Sequence, residues 1–151
     1  MSRRAAAGPL LIVVLVLAAC GSSTLTAGAL RMQAGRVCRT AARRSDRIAL
    51  PGSNAAGGSF LADGIAVFRP ELAALRRLAP PARLAAAYRA ALGDAKQQLD
   101  ALIATDQNLR LGGDPVVAIK QLDVELAAIN IRDREAWRTV GAPACANQAS
   151  S

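Results

Sequence analysis

The stretch GGDPVVAIKQLDVELAAINIRDREAWRTVG, Gly112 to Gly141, decides the fold. Asp114 is a helix-capping residue, and Pro115 follows it at the first helical position, where a missing N–H costs nothing. Apolar residues then recur at spacings of three and four: Ile119, Leu122, Leu126, Ile129, Ala136 and Val140, with Trp137 beside them. That is the period of a helix burying one face. Asp133 falls on the same stripe. Gly141 suits the left-handed residue that ends many helices. A helix of this length spans roughly 40 Å at 1.5 Å per residue.

The same period extends outward. Leu84, Tyr88, Ala91, Ala95, Leu99 and Leu102 form a third helical stripe, which runs on toward Leu109 and stops at Gly112-Gly113. The turn APPAR precedes it, because a residue before proline resists helical geometry. Leu61, Ile65, Phe68, Leu72, Leu75 and Ala79 form the second stripe, unbroken in phase across Pro70. A break would shift that phase, so the expectation is one helix kinked at Pro70 rather than two. Leu30, Ala34, Val37, Ala41, Arg44 and Ile48 form the first, closed by the loop LPGSNAAGGS, Leu50 to Ser59. Alanine, the best helix former, occurs 35 times. Period-2 runs of β-branched and aromatic residues are absent outside the leader, which argues against a sheet. Short connections between long amphipathic helices imply antiparallel neighbours. The fold class expected is therefore all-α, an up-down-up-down four-helix bundle over residues 30–146, with 147–151 a disordered tail.

The beginning of the chain carries a different signal. Met1-Ser2-Arg3-Arg4 is positive, and Leu10 to Ala19 is apolar and uncharged. That is about half of what a bilayer span requires. Positive start, short apolar run and small-residue exit describe a secretory signal peptide over residues 1–19. Leu17, Ala18, Ala19 and Cys20 match a bacterial lipobox, in which the cysteine thiol receives a diacylglyceryl group. An ordinary cleaved signal and an uncleaved anchor are the other readings. Residues 20–29 would be a flexible tether.

Of three cysteines, Cys20 would then be the lipid attachment site, leaving Cys38 and Cys145 as a pair in an oxidising compartment. The bundle topology places the start of the first helix beside the end of the fourth, which agrees with that disulfide. Two buried free thiols are the alternative. Arg44 and Asp133 are the charged residues interrupting the first and fourth stripes, and are expected to form a partly buried ion pair. Otherwise each side chain reaches water separately.

Candidates for chemistry are few. The chain has no histidine, the commonest general base and metal ligand. Its glycine pairs, in GGSF and LGGDP, lack the Lys-Ser/Thr of a phosphate loop. No catalytic residue, metal site or cofactor is expected, and Glu71, Glu125 and Glu135 all fall off the stripes. Arg69, Arg76, Arg77, Arg83 and Arg89 form a possible patch for an anionic lipid or wall surface, or an ordinary solvated face. Nucleic acid is not an expected partner, given export and the lack of an aromatic stacking platform. Tyr88 and Trp137 are either core residues or the border of an apolar ligand cavity, and an alanine-rich core is expected to leave little room for one.

The segments LAACGSS, RVCRTA, LRRLAPPARLAAAYRAAL and VGAPACA together give the chain a further character. It resembles the small alanine- and arginine-rich lipoproteins of actinobacterial, high-GC Gram-positive type. The resemblance implies an extracytoplasmic helical domain tethered to the cell membrane through Cys20, with a Cys38–Cys145 bridge. It carries over no catalytic residue. The functional expectation is a non-enzymatic interaction or scaffold module of the cell envelope, touching an envelope protein or an anionic surface. The alternative is a lipoprotein that binds a lipid or small hydrophobic ligand for transport or sensing.

Overall fold

The structure, a computed structural model, describes residues 24–51 and 57–147. The expected signal peptide, the expected lipobox residues Leu17, Ala18 and Ala19, and Cys20 lie outside the described residues, as do positions 148–151 of the expected tail. Five helices and no strands make up the described chain: α1 Ala27–Ser45, α2 Gly57–Arg76, α3 Ala82–Arg110, α4 Pro115–Val140 and α5 Pro143–Ala146. None of them is long and apolar enough to cross a membrane.

Local chemistry fixes the ends. Thr26 caps α1 by accepting the Ala29 N–H at 3.1 Å, so that helix begins three residues before the expected Leu30. Asp114 accepts the N–H groups of Val116 and Val117 and starts α4 with Pro115 in its first turn. Gly141 ends α4 at φ +81°, a left-handed conformation that a side chain would resist. The α3–α4 turn uses Gly112 in the same way, at φ +89°. Pro70 lies inside α2, which is continuous from end to end. The short α5 was not legible as a separate helix; PACA follows the cap as one turn.

Cross-helix pairings give the directions. In α2 and α3, Tyr88 donates its hydroxyl to the Leu75 carbonyl at 2.7 Å, while Leu72 and Ile65 share a cluster with Ala95 and Leu99. In α3 and α4, Tyr88 meets Trp137 edge-on at 5.7 Å, Arg132 binds Asp94 and Gln98 binds Asn130. Partner numbers rise on one helix as they fall on the other, so each neighbouring pair is antiparallel. Arg31 of α1 donates to the Val140 carbonyl at 2.9 Å, bringing the start of α1 to the end of α4. The four long helices thus form an up-down-up-down bundle. α5 packs against both α1 and α4, and its Cys145 is joined to Cys38 of α1, with Cα atoms 5.1 Å apart.

The core is layered along the bundle. At one end Leu30, Ala34, Leu75, Leu84, Tyr88, Trp137 and Val140 surround the disulfide. Ile65, Leu72, Ala95 and Leu99 fill the middle. Leu61, Ala101 and Leu122 close the far end. Burying a leucine or valine contributes roughly 1.5–3 kcal/mol each, and the same stripes that define the helices supply these residues.

Candidate functional site

The layers leave a cleft of about 320 Å³ between the four long helices and α5. It opens where large side chains give way to small or polar ones. α1 contributes Cys38, Ala42 and Ser45, with Asp46 just beyond its end; α2 contributes Gly64, Val67, Phe68, Glu71 and Leu75. Ala95, Gln98 and Leu102 of α3 face them, and Leu126, Asn130, Asp133 and Trp137 of α4 complete the walls with Cys145. The expectation that an alanine-rich core leaves little space is therefore not met. Close approach of helices at Ala34 and Ala91 coexists with a gap where Gly64, Ala42, Ser45 and Ala95 meet.

The polar lining has a definite organisation. Gln98 donates to the Asn130 carbonyl oxygen at 3.1 Å, tying α3 to α4 beside the cleft. Asp133 is only 5% exposed, and its Oδ1 has no hydrogen-bond partner. Its carboxyl is raised from 3.8 to about 7, chiefly by burial and next by the charge of Asp94, while hydrogen-bonding groups of Gln98 and Trp137 act in the opposite direction. Asp94 is itself buried, with Arg132 across the α3–α4 seam at 3.2 Å. Tyr88, behind Trp137, is a core residue whose phenol is held well above its ordinary value by burial.

The expected Arg44–Asp133 pair does not form. Arg44 is exposed, and the ion pairs among the described residues are Lys96–Asp100, Asp106–Arg110 and Asp94–Arg132. The reason is helical phase. The buried face of α1 runs Leu30, Ala34, Cys38, Ala41, so its next positions are Ala42 and Ser45, which line the cleft. Arg44 sits a further 100° round and points to solvent. Asp133 is buried on its stripe as expected, without that partner.

Glu71 shows the opposite discrepancy. It was placed off the apolar stripe, yet it is 8% exposed and lines the cleft. Its neighbours Leu72 and Leu75 carry the α2 stripe, and nothing in the local pattern distinguishes an acid at its edge from one on the outer face. The five arginines Arg69, Arg76, Arg77, Arg83 and Arg89 are all exposed, on the last turns of α2 and the first of α3. None belongs to an ion pair among the described residues. The start of the described chain lies at that same end: the Leu25 N–H donates to the Ala79 carbonyl at 2.8 Å.

Comparison of the chain with protein-family models, with curated proteins and with solved structures finds no match.

Proposed function

We propose that this chain is an extracytoplasmic lipoprotein, anchored to the cell membrane through Cys20, whose helical bundle is non-enzymatic and binds a small ligand. The cleft carries this reading. Its volume of about 320 Å³ lies at the lower end of small-molecule pockets, about 300–1,000 Å³. It is bordered by one buried tryptophan, several apolar walls and a few convergent polar groups, as ligand sites are. The anchor rests on the sequence of the leader. Two or three acyl chains hold a protein durably at about 0.8 kcal/mol per buried CH₂.

The arginines fit the anchored arrangement. Leu25 follows Cys20 by five residue steps, which can span at most about 18 Å. Leu25 is fastened to Ala79, so a lipid on Cys20 would bring Arg76, Arg77 and Arg83 near the headgroups. Each basic residue near an anionic surface contributes about 1 kcal/mol. A module that uses this basic face alone, with no ligand, is the second reading, and the exposure of all five arginines favours it.

Gly64 separates the two. It lines the cleft, and a Cβ built on it meets nothing within 4 Å. Gly64→Leu therefore fills the cleft without disturbing the helix. Native mass spectrometry of the full chain, purified from membranes in mild detergent, is expected to show a lipid mass on Cys20 and a second, non-covalent small-molecule mass. The Gly64→Leu chain should keep the first and lose the second. A bare Cys20 would reject the anchor, and a small-molecule mass unchanged in Gly64→Leu would reject the cleft as the site.

A further inference from the structure

We propose that the cleft takes a small organic cation, a protonated amine or quaternary ammonium group on a short apolar body, with the carboxylate of Asp133 as its counter-ion. This rests on the ligand-binding reading above and names the chemistry that the site selects.

Charge is the first observation. The chain has 19 Lys+Arg against 11 Asp+Glu, yet no lysine or arginine lines the cleft. Three acids do: Asp46 from the end of α1, Glu71 from α2 and Asp133 from α4. A basic protein has thus gathered acids, and no bases, around this cleft.

The second observation is independent of that cluster. Asp133 is 95% buried, given its 5% exposure, and its Oδ1 is without a hydrogen-bond partner. Buried polar atoms are almost always paired; Gln98 and Trp137 hydrogen-bond the carboxyl group, but a buried carboxylate with one oxygen unpaired and no counter-charge is costly. Arg132, next in sequence, does not relieve it: its guanidinium is committed to Asp94 and to Gln97. Arg44 points away. An N–H donor carrying positive charge, held in the cleft that Asp133 lines, would supply the counter-charge this carboxylate lacks and form a charge-assisted hydrogen bond with it.

The walls indicate what the cation is attached to. Phe68 and Trp137 are both at the cleft, and aromatic faces attract cations as well as apolar groups. Leu102 and Leu126 add aliphatic surface. The acids come from α2, from α4 and from the residue after α1, and among the described residues no three His, Cys, Asp or Glu side chains stand close enough to hold a metal ion. One carboxylate within an apolar wall suits a polyatomic cation with a hydrocarbon body.

The test uses the full chain in detergent micelles and three probes of one length: butylammonium, 1-butanol and butyrate. Trp137 is the only tryptophan, so its fluorescence reports the cleft directly. Butylammonium should bind about 10-fold or more tightly than 1-butanol, with butyrate weakest. Asp133→Asn should abolish that preference while leaving 1-butanol binding unchanged. Asp133 has Asp94 and Gln98 on α3 and Trp137 on its own helix beside it; Glu71 on α2 and Asp46 after α1 line the same cleft, and Arg132, next in sequence, binds Asp94. The raised pKa of Asp133, about 7, makes butylammonium affinity rise between about pH 5.5 and 8 as the carboxyl ionises. This second measurement needs no variant. Equal affinity for the alcohol and the amine would overturn the cation assignment and leave the ligand cleft standing. A preference that survives Asp133→Asn would overturn the role of that residue. Failure of all three probes would overturn both readings.

Discussion

Asp133 makes the pH dependence of stability a direct test of the structure. Its carboxyl has an ordinary value of 3.8 and a folded-state value of about 7. A raised value means that the folded protein holds the proton more tightly than the unfolded chain. Folding therefore takes up a proton between the two values, and stability falls as pH rises from about 4 to about 7. Each pH unit across that window corresponds to about 1.4 kcal/mol, so the full difference is up to about 4 kcal/mol, present below pH 4 and lost above pH 7. Other carboxylates contribute their own slopes, which the comparison with a variant removes. Asp133→Asn keeps the shape and has no charge to desolvate. Urea unfolding of both chains, with the Cys38–Cys145 bridge intact, is expected to show the variant gaining on the natural protein steadily between pH 4 and 7, and exceeding it by 2–4 kcal/mol at pH 8, on the order of that desolvation. Parallel pH profiles for the two chains would refute the burial of Asp133 as an uncompensated acid.

Four further outcomes follow from the same structure. Tyr88→Phe removes one of the two donors to the Leu75 carbonyl, which keeps the Leu78 N–H at 3.0 Å, so unfolding free energy in urea titrations should fall by about 0.5–1.5 kcal/mol, the net contribution of one hydrogen bond. Gly141→Ala places a side chain at φ +81°, where an ideal Cβ lies 2.6 Å from the Arg31 Nε. A loss of at least about 1–2 kcal/mol is expected, and an unchanged midpoint would contradict the αL cap. Opening the 107-residue link between Cys38 and Cys145 by Cys→Ala at both positions should cost about 4–5 kcal/mol in the chain-entropy model, read as the difference in unfolding free energy. Replacing Arg76, Arg77 and Arg83 together by glutamine should weaken binding of the delipidated chain to vesicles rich in anionic phospholipid, with no change on neutral vesicles; equal binding to both would remove the basic face from the account.

Much of the bundle is legible in the sequence because its signals are local and redundant. Asp114, Pro115, the three-and-four stripe and Gly141 each point to the same α4, and the structure uses every one of them. The continuity of α2 through Pro70 was readable from an unshifted phase, since the stripe on either side buries against the same neighbour. The disulfide was readable because topology brings Cys38 and Cys145 to one end. Where the reading failed, the error was one of angle. Choosing Val37 over Cys38 moves that position of the α1 stripe by 100° and tilts the expected face away from the buried one, which is enough to put Arg44 inward in place of Ser45.

The cleft was not legible, and the reason lies in what a stripe records. A stripe identifies which face of a helix turns inward and says nothing about whether opposing faces touch. Gly64, Ala42, Ser45 and Ala95 each look like acceptable interior residues on their own helix, and only their meeting at one level leaves about 320 Å³ between them. Acids at that level escape the usual rule for the same reason. Asp133 on the α4 stripe suggested a buried partner of opposite charge, because a charge in a filled core needs one. Glu71 lies at the edge of the α2 stripe and gave no such signal. Asp133 is accommodated without an opposite charge because the space beside it is open. In a filled core, Asp133 would require a fixed arginine; beside a cleft, its counter-charge can arrive from outside. A charged residue on an otherwise apolar stripe, with no opposite charge in phase on the facing helix, is therefore a signal for a ligand as well as for an ion pair.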